Sequence, residues 1–176
     1  MAIVLVRVDD RLIHGQITTA WIAYSKATRI VIASDEVAND SLQRTIINLT
    51  RPPKIVVDVL TVDQTIERAA SATWERDRVF IICKHPGDAL NLVKAGLGID
   101  EVNIGNVGGT TQHRTGVRKQ ISKAIAVTED DVRIFREILE AGVALEARLI
   151  PRDRRVDMAS LLVKKWGPRP PITGKE

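Results

Sequence analysis

Short runs of β-branched and other apolar residues alternate with helix-like stretches along almost all of this 176-residue chain. This alternation constrains the fold more than any other feature, because strands separated by helices form parallel sheets. The pattern predicts an α/β fold, a single-domain, open, mostly parallel twisted sheet with helices on both faces. Seven runs are expected to be strands, at residues 3–8, 29–33, 54–60, 78–83, 101–106, 124–127 and 144–150.

Helix start and stop signals lie between most of these runs. Thr61 and Thr128 are expected to cap two helices, Pro86 suits the first turn of a third, and Gly96 and Gly142 end two of them. Helices are predicted at residues 15–24, 40–49, 62–70, 86–95, 130–141 and 158–166.

The second of these helices is capped by Asn39 or Asp40, and its residues Leu42, Ile46 and Leu49 share one face.

No internal repeat and no linker interrupts the pattern, so residues 1–166 are predicted to form one domain. Residues 167–176 are rich in Pro and Gly, which is the composition of a flexible tail.

Composition narrows the class of protein. Apolar residues make up 44% of the chain but aromatic residues only 3%, which suits a buried parallel sheet with an aliphatic core. The single cysteine, Cys83, excludes an intrachain disulfide and is interpreted as a small buried residue. The net charge of +4 is mixed, and few aromatic residues could stack on bases, so no nucleic-acid partner is expected. No signal peptide or membrane-spanning stretch is apparent, which predicts a cytoplasmic protein.

The predicted topology indicates where a ligand would bind. In open α/β sheets, ligands lie beyond the carboxyl ends of the strands, near the point where the strand order reverses, and the first strand commonly borders that point. The segments expected to meet at this switch point are residues 9–16, 34–36, 84–86 and 106–111. In the last of them, the Gly108–Gly109 pair lets the backbone approach a ligand closely.

His14 lies between the first strand and the following helix, with Arg11 three residues before it. Its imidazole can act as a nucleophile or a base, and the arginine can neutralise a phosphate. The N–H groups of Gly15, Gln16 and Ile17 open the helix and can hold phosphate oxygens. The most direct chemical interpretation is a histidine that carries a phosphoryl group.

Three acidic residues lie near this histidine in the predicted fold. Asp9 either bonds the far imidazole nitrogen or orients Arg11, and both alternatives stay open. Asp10 either faces solvent or sets the loop. Asp35 follows the second strand and is interpreted as a structural brace for the same loop rather than as a catalytic residue.

Other polar features are weaker candidates. His85 is interpreted as a capping or loop histidine, and His113 as a partner-facing or solvated one. No HxxxH, CxxC or HxH spacing is present, so no metal site is predicted. Residues 105–109 lack the glycine-spaced turn into a helix that binds dinucleotides, so they indicate a dinucleotide site only weakly. Basic residues concentrate at 114–123 and 148–165, where they could steer an acidic partner.

The order Arg-Val-Asp-Asp-Arg-Leu-Ile-His-Gly-Gln at residues 7–16 is the most specific motif in the chain. Supporting motifs lie at residues 34–40, 102–105, 108–109 and 124–128. With these motifs, residues 3–166 resemble the IIB components of the mannose/fructose/sorbose-family sugar phosphotransferase system. That family has an open, mostly parallel α/β sheet, in agreement with the fold predicted above.

The resemblance implies a complete reaction. The family's histidine at the position of His14 accepts a phosphoryl group on Nδ1 from a phosphohistidine of the IIA component. It then passes the group to a sugar held by the membrane components IIC and IID. The expected activity is that of a protein-Nπ-phosphohistidine–sugar phosphotransferase, peripherally associated with the transporter and needing no cofactor. The identity of the sugar stays open, as does the oligomeric state, with a homo-oligomer among the options.

Two other functions stay open from the sequence. One is a regulatory module whose phosphohistidine only signals to a partner. The other is a phosphometabolite-binding α/β protein without sugar phosphotransfer, which would need a phosphate loop where the histidine motif lies.

Overall fold

The computed structural model describes residues 2–109 and 117–168. Strands within these residues are β1 (Ala2–Asp9), β2 (Arg29–Ala33), β3 (Val56–Leu60), β4 (Arg78–Cys83), β5 (Glu101–Asn106), β6 (Lys119–Ser122), β7 (Ile125–Val127), β8 (Ala144–Ala147) and β9 (Val156–Asp157).

The first helix, α1, is π-helical over Ile17–Trp21 and continues as an α-helix over Ile22–Ser25. The others are α2 (Asp35–Ala38), α3 (Ser41–Thr50), α4 (Val62–Ala70), α5 (Pro86–Lys94), α6 (Glu129–Glu140) and α7 (Met158–Trp166), with a short 3₁₀ turn at Ala72–Trp74.

Seven strands form the main sheet in the order β3-β2-β4-β1-β5-β8-β9. All neighbouring pairs are parallel except β8 with β9, which confirms the predicted α/β fold. β1 lies at the centre, between β4 and β5. The chain fills one half of the sheet with β2 to β4 and the other half with β5 and β8, so the strand order reverses at β1. The segment after β1 therefore emerges at the switch point.

Both faces of the sheet carry an apolar core, because side chains alternate along each strand. Val6 and Val8 of β1 pack in the larger core, with residues of α4 to α7. Leu12 and Ile17 belong to the smaller core, which also contains residues of α2 and α3. Helices on both faces are thus confirmed. Trp21 lies in the smaller core and Trp74 in the larger one.

Several predicted helix ends are confirmed by hydrogen bonds. The Asp40 carboxylate accepts from the N–H groups of Leu42 and Gln43, and Thr61 and Thr128 form capping boxes. These caps satisfy N–H groups that have no partner inside the helix.

Other boundaries differ from the prediction. The third strand begins at Val56 rather than at residue 54, because Lys54 adopts a left-handed turn conformation with φ of 66°. β8 ends at Ala147; the N–H group of Arg148 still donates to the carbonyl of Ile104 over 3.3 Å, and the chain bends at residues 149 and 150. The run at residues 124–127 yields β7, which pairs antiparallel with β6 in a separate two-stranded sheet. β6 and β9 have no counterpart in the prediction.

Helix α3 turns its apolar stripe outwards. Leu42, Ile46 and Leu49 are 68%, 51% and 81% exposed, whereas Ile47 is buried in the smaller core. Residues 169–176 of the flexible tail predicted at 167–176 lie outside the described residues, as do Thr110, Thr111, His113 and Arg114.

Candidate functional site

The loop between β1 and α1 folds back on the end of its own strand. The N–H group of Leu12 donates to the carbonyl of Asp9 over 3.0 Å, and Leu12 adopts a left-handed conformation with φ of 57°. Such a conformation costs about 1–2 kcal/mol for a residue other than glycine. Burial of the leucine side chain in the smaller core offsets that cost. The turn brings His14 back to Asp9.

Asp9 is the centre of the site and is fully buried. Its Oδ2 atom lies 3.1 Å from Nε2 of His14 and accepts from Nη2 of Arg11 over 2.9 Å. Its Oδ1 atom accepts from Nε of Arg11, also over 2.9 Å. Arg7 lies on the other side and donates to Oδ2 from Nε and Nη2, over 3.1 and 2.7 Å. Asp9 therefore both bonds the far imidazole nitrogen and orients Arg11.

The surroundings keep Asp9 ionised. Burial by itself would raise the pKa of this carboxyl group. The hydrogen bonds from His14 and Arg11 and the charge of Arg7 outweigh burial and hold the pKa of Asp9 well below its ordinary value. Around neutral pH the group is a carboxylate, which can only accept hydrogen bonds.

This carboxylate determines the state of the His14 ring. Because Asp9 only accepts, Nε2 of the histidine must carry the hydrogen in their contact. In the neutral ring the lone pair then lies on Nδ1. The histidine side chain is 19% exposed. Nδ1 is thus the ring nitrogen whose lone pair is available.

Two groups that bind anions lie beside His14. Arg11 is 30% exposed, and its Nη2 atom also donates to Oε1 of Gln16 over 3.1 Å. Within residues 2–109 and 117–168, no hydrogen bond engages its Nη1 atom. The N–H group of Ile17, predicted as a phosphate donor, instead donates to the His14 carbonyl over 2.9 Å. The earlier N–H groups, of Gly15 and Gln16, remain at the open end of α1.

Asp10 sets the neighbouring loop rather than facing solvent. It is buried, its N–H group donates to the carbonyl of Asn106 over 3.2 Å, and its carboxylate accepts from the Asn106 amide and from the N–H group of Gly109 over 2.9 Å. Gly108 has a φ of 83° and leaves no room for a Cβ, because the carbonyl of Ala126 occupies that space. The glycine loop is therefore brought against the β1 loop, as predicted.

Residues 3–168 match the family described as "PTS system sorbose subfamily IIB component", where PTS is the phosphotransferase system. The chain belongs to this family. It is 36% identical to the sorbose-specific EIIB component of Lacticaseibacillus casei, across 95% of this chain and 99% of that protein. The crystal structure of the IIBSor domain of the sorbose permease from Klebsiella pneumoniae superimposes with a TM-score of 0.86 and 34% identity, covering 93% of this chain and 98% of that one.

A third relative is about twice as long as the segment that matches this chain. The mannose-specific EIIAB component of Escherichia coli (strain K12) is 34% identical over 93% of this IIB component, which spans 49% of that protein.

The predicted site residue Asp35 and the weaker candidate His85 lie apart from the His14 loop. Oδ1 of Asp35 accepts from the N–H group of Val62 over 2.8 Å, so it braces the start of α4 and not the loop after β1. His85 precedes α5 as its N-cap residue, as interpreted, and its Nε2 atom lies 2.8 Å from Glu36. Lys84 also bonds Glu36, over 2.6 Å. Hydrogen bonds from His85 and then Lys84 lower the pKa of Glu36.

An open groove of about 530 Å³ separates the His14 loop from α3. Arg11, Leu12 and Ile13 line one wall, and Ile46 lies on the other. The groove passes the charged pair of Lys84 and Glu36, so it is apolar in part and charged at its edges.

Sequence reasoning missed a buried polar network behind Asp9. Its members are Arg7, Asn103, Glu146 and Arg148, all buried. The signal was present, since each of these polar residues lies between two apolar neighbours in a strand or directly after one. Burying such groups is costly unless they are paired, so polar residues inside a core strand indicate a network.

Two further observations concern the described residues. Across 2–109 and 117–168, no helix is long and apolar enough to cross a membrane, and no group of three His, Cys, Asp or Glu side chains could hold a metal ion. Cys83 is fully buried, as interpreted, and burial raises the pKa of its thiol.

Proposed function

We propose that this IIB component is a phosphoryl carrier in sugar uptake. His14 accepts a phosphoryl group from phosphorylated IIA and transfers it to a sugar held by the membrane components IIC and IID. The observation that carries this proposal is the bond from Nε2 of His14 to the buried carboxylate of Asp9, because it leaves Nδ1 as the nucleophile.

The first step exchanges one nitrogen–phosphorus bond for another. Nδ1 of His14 attacks the phosphorus as the bond to the IIA imidazole breaks, and that imidazole leaves with its electron pair. The hydrogen on Nε2 stays in place, so the phosphorylated ring becomes cationic. The negative charge of Asp9, held 3.1 Å from Nε2, stabilises that cation.

In the second step, an oxygen of the sugar attacks the same phosphorus and the bond to Nδ1 breaks. The sugar hydroxyl gives its proton to solvent, and His14 returns to the neutral ring with its hydrogen on Nε2. No group on this chain, the imidazole included, gains or loses a proton in either step.

Charge on the transferring oxygens is stabilised by Arg11 and the start of α1. The Nη1 atom of Arg11 and the N–H groups of Gly15 and Gln16 are suited to these oxygens. Because Asp9 and Gln16 fix the guanidinium of Arg11, little reorganisation is needed when the phosphoryl group arrives.

The groove beside His14 suits a protein donor. Its apolar wall continues into the exposed stripe of α3 formed by Leu42, Ile46 and Leu49. A protein that docks in this groove would cover Arg11, Leu12 and Ile13, which belong to the same loop as His14. A phosphorylated IIA is the proposed occupant, and the EIIAB relative, which names A and B components in one protein, supports this partnership.

In this proposal the membrane components, and not this chain, select the sugar. Relatives of similar identity carry names specific for sorbose and mannose, so this level of similarity does not select one sugar. The proposed location is the cytoplasm, at the face of the membrane where IIC and IID hold the sugar.

Incubation with phosphorylated IIA carrying a radioactive phosphoryl group tests the first step. Acid-labile label is expected on His14 and should be absent in His14→Ala. The matched control is His85→Ala, which should accept label like the wild type because His85 is turned to Glu36. Undiminished label in His14→Ala would disprove the proposal.

Membranes that contain IIC and IID test the second step. Labelled protein should yield phosphorylated sugar when sorbose, fructose, mannose or N-acetylgalactosamine is added. Label that stays on His14 with every sugar, under conditions where a known IIB component transfers it, would favour the regulatory alternative.

A further inference from the structure

Arg7 is the most completely bonded side chain near the phosphoryl site. A guanidinium has five N–H donors. Nε and Nη2 each donate to Asp9, Nη1 donates to the Asn103 side chain and to the carbonyl of Arg148, and Nη2 also donates to the carbonyl of Leu149. All five donors are therefore used, in a side chain with no exposed surface. Arg7 can turn neither toward solvent nor toward a ligand without breaking buried bonds.

The packing around Arg7 holds it in the same place. The guanidinium lies 4.7 Å from the ring centre of Trp21, which is also fully buried. On β5, Gly105 contributes no side chain, and a Cβ there would overlap the guanidinium. The space between Trp21 and Gly105 therefore holds the Arg7 guanidinium in a single position.

Beyond Arg7, side-chain hydrogen bonds lead through Asn103 to Glu146. Oδ1 of Asn103 accepts from Arg7, and its Nδ2 atom donates to Oε1 of Glu146 over 2.8 Å. Nε of Arg148 donates to the same Oε1 atom over 3.0 Å. The guanidinium only donates and the carboxylate only accepts, so the Asn103 amide has a single orientation that satisfies both. This network of hydrogen bonds runs from Glu146 through Asn103, Arg7 and Asp9 to His14.

We infer that Asn103 and Glu146 are positioning residues for His14. They hold the guanidinium of Arg7 in place, and Arg7 in turn holds the Asp9 carboxylate. The carboxylate keeps the hydrogen of His14 on Nε2 and leaves Nδ1 free. Neither residue touches the imidazole. Their effect on transfer rests on the proposed function, whereas their effect on the ring's hydrogen does not.

Exchanging donor and acceptor within the pair tests this inference. Asn103→Asp sets two carboxylates against each other, whereas N103D combined with Glu146→Gln restores a hydrogen bond with the amide on the other side and conserves the total charge. The first readout is the ¹⁵N spectrum of His14 in the unphosphorylated full-length protein, which distinguishes a hydrogen on Nε2 from one on Nδ1. The second is the rate of phosphoryl acceptance from phosphorylated IIA.

We expect the wild type to show one ring form, with hydrogen on Nε2. N103D should show a mixture of ring forms and accept the phosphoryl group at least tenfold more slowly, and the double variant should recover both properties to within about threefold of the wild type. If N103D does not fold, Asn103→Ala replaces it, because it removes both the acceptor for Arg7 and the donor to Glu146 without adding a charge.

The matched control is Asp77→Asn. It weakens another arginine–aspartate pair, Arg29 with Asp77. This pair lies at the amino end of β2, whereas His14 lies beyond the carboxyl end of β1. The control should lower the melting temperature and leave the ring form and the rate unchanged. A folded N103D protein with the wild-type ring form and rate overturns the inference, and so does a folded double variant that recovers neither. A wild type that accepts no phosphoryl group refutes the proposed function alone, since the ring form is still measured.

Discussion

Oδ2 of the fully buried Asp9 lies 3.1 Å from Nε2 of His14, a ring that is itself 19% exposed. The contact joins the interior of the sheet to the surface where a partner would meet the protein. An ionised group in the interior is costly unless it is well bonded, and here the bonds come from Arg7, Arg11 and His14. The same carboxylate therefore affects both the stability of the protein and the chemistry of the histidine.

Replacing Asp9 by asparagine should change how stability depends on pH. The pKa of Asp9 is lower in the folded protein than in the unfolded chain, so its contribution is full above the ordinary carboxyl pKa of about 4 and is lost as pH falls toward the folded value. At pH 7, Asp9→Asn should lower the free energy of unfolding by about 3 kcal/mol, since Arg7 stays buried without its carboxylate.

Urea unfolding of both proteins between pH 7 and pH 2 measures this effect. The difference between wild type and D9N should be constant above pH 5 and shrink below pH 4. A difference that grows as pH falls would contradict the assigned pKa direction.

Arg11→Gln should slow phosphoryl acceptance with little loss of stability. Removing one group that stabilises transition-state charge typically costs about 10²–10³ in rate. The Arg11 side chain is 30% exposed, so its bonds to Asp9 contribute modestly to stability. Single-turnover transfer from phosphorylated IIA and thermal unfolding measure the two effects. Arg11→Lys should recover only part of the rate, because an ammonium cannot contact Asp9, Gln16 and a phosphoryl oxygen as a planar guanidinium can.

Gly105→Ala should displace Arg7 from Asp9. The new Cβ would overlap the guanidinium, which is held by buried hydrogen bonds and cannot move aside freely. We expect a loss of about 3 kcal/mol in the free energy of unfolding, at the upper end for overpacking, and slow phosphoryl acceptance. Gly87→Ala is the control, because its Cβ would meet only Cδ1 of Ile134 at 3.9 Å. Equal effects from the two variants would contradict the assigned role of the space at Gly105.

Ile46→Asp should weaken the encounter with phosphorylated IIA. Ile46 lies on α3, is 51% exposed and lines the groove beside the His14 loop. We expect the KM for phosphorylated IIA to rise about tenfold, or ~1.4 kcal/mol, with the maximal rate unchanged. Val163→Asp on α7 is matched in exposure, at 56%, and lies outside the groove. Similar kinetics for both variants would show that the partner does not cover this stripe.

Much of this fold followed from local sequence patterns. The strand before His14 and the helix caps at Asp40, Thr61 and Thr128 follow from short-range periodicity and capping chemistry. The bond between Asp9 and His14 was one of two alternatives, and the structure contains both.

The parts that sequence reasoning missed depend on contacts between distant residues. Arg7 and Asn103 are 96 positions apart, and Asn103 and Glu146 are 43 apart, so no local pattern reports that they share a hydrogen-bond network. The outward stripe of α3 was missed for a related reason, since periodicity identifies an apolar face but not what covers it. Asp35 was assigned to the wrong loop because topology alone does not say which neighbour a strand-end side chain meets.

The His14 ring has a single nucleophilic nitrogen, on a side chain that is 19% exposed. A donor protein and a sugar-bearing acceptor cannot reach one atom at the same time. In the proposed cycle the two must therefore visit this component in succession, and the steady-state kinetics should follow a ping-pong scheme in which excess unphosphorylated donor acts as a competitive inhibitor of the acceptor.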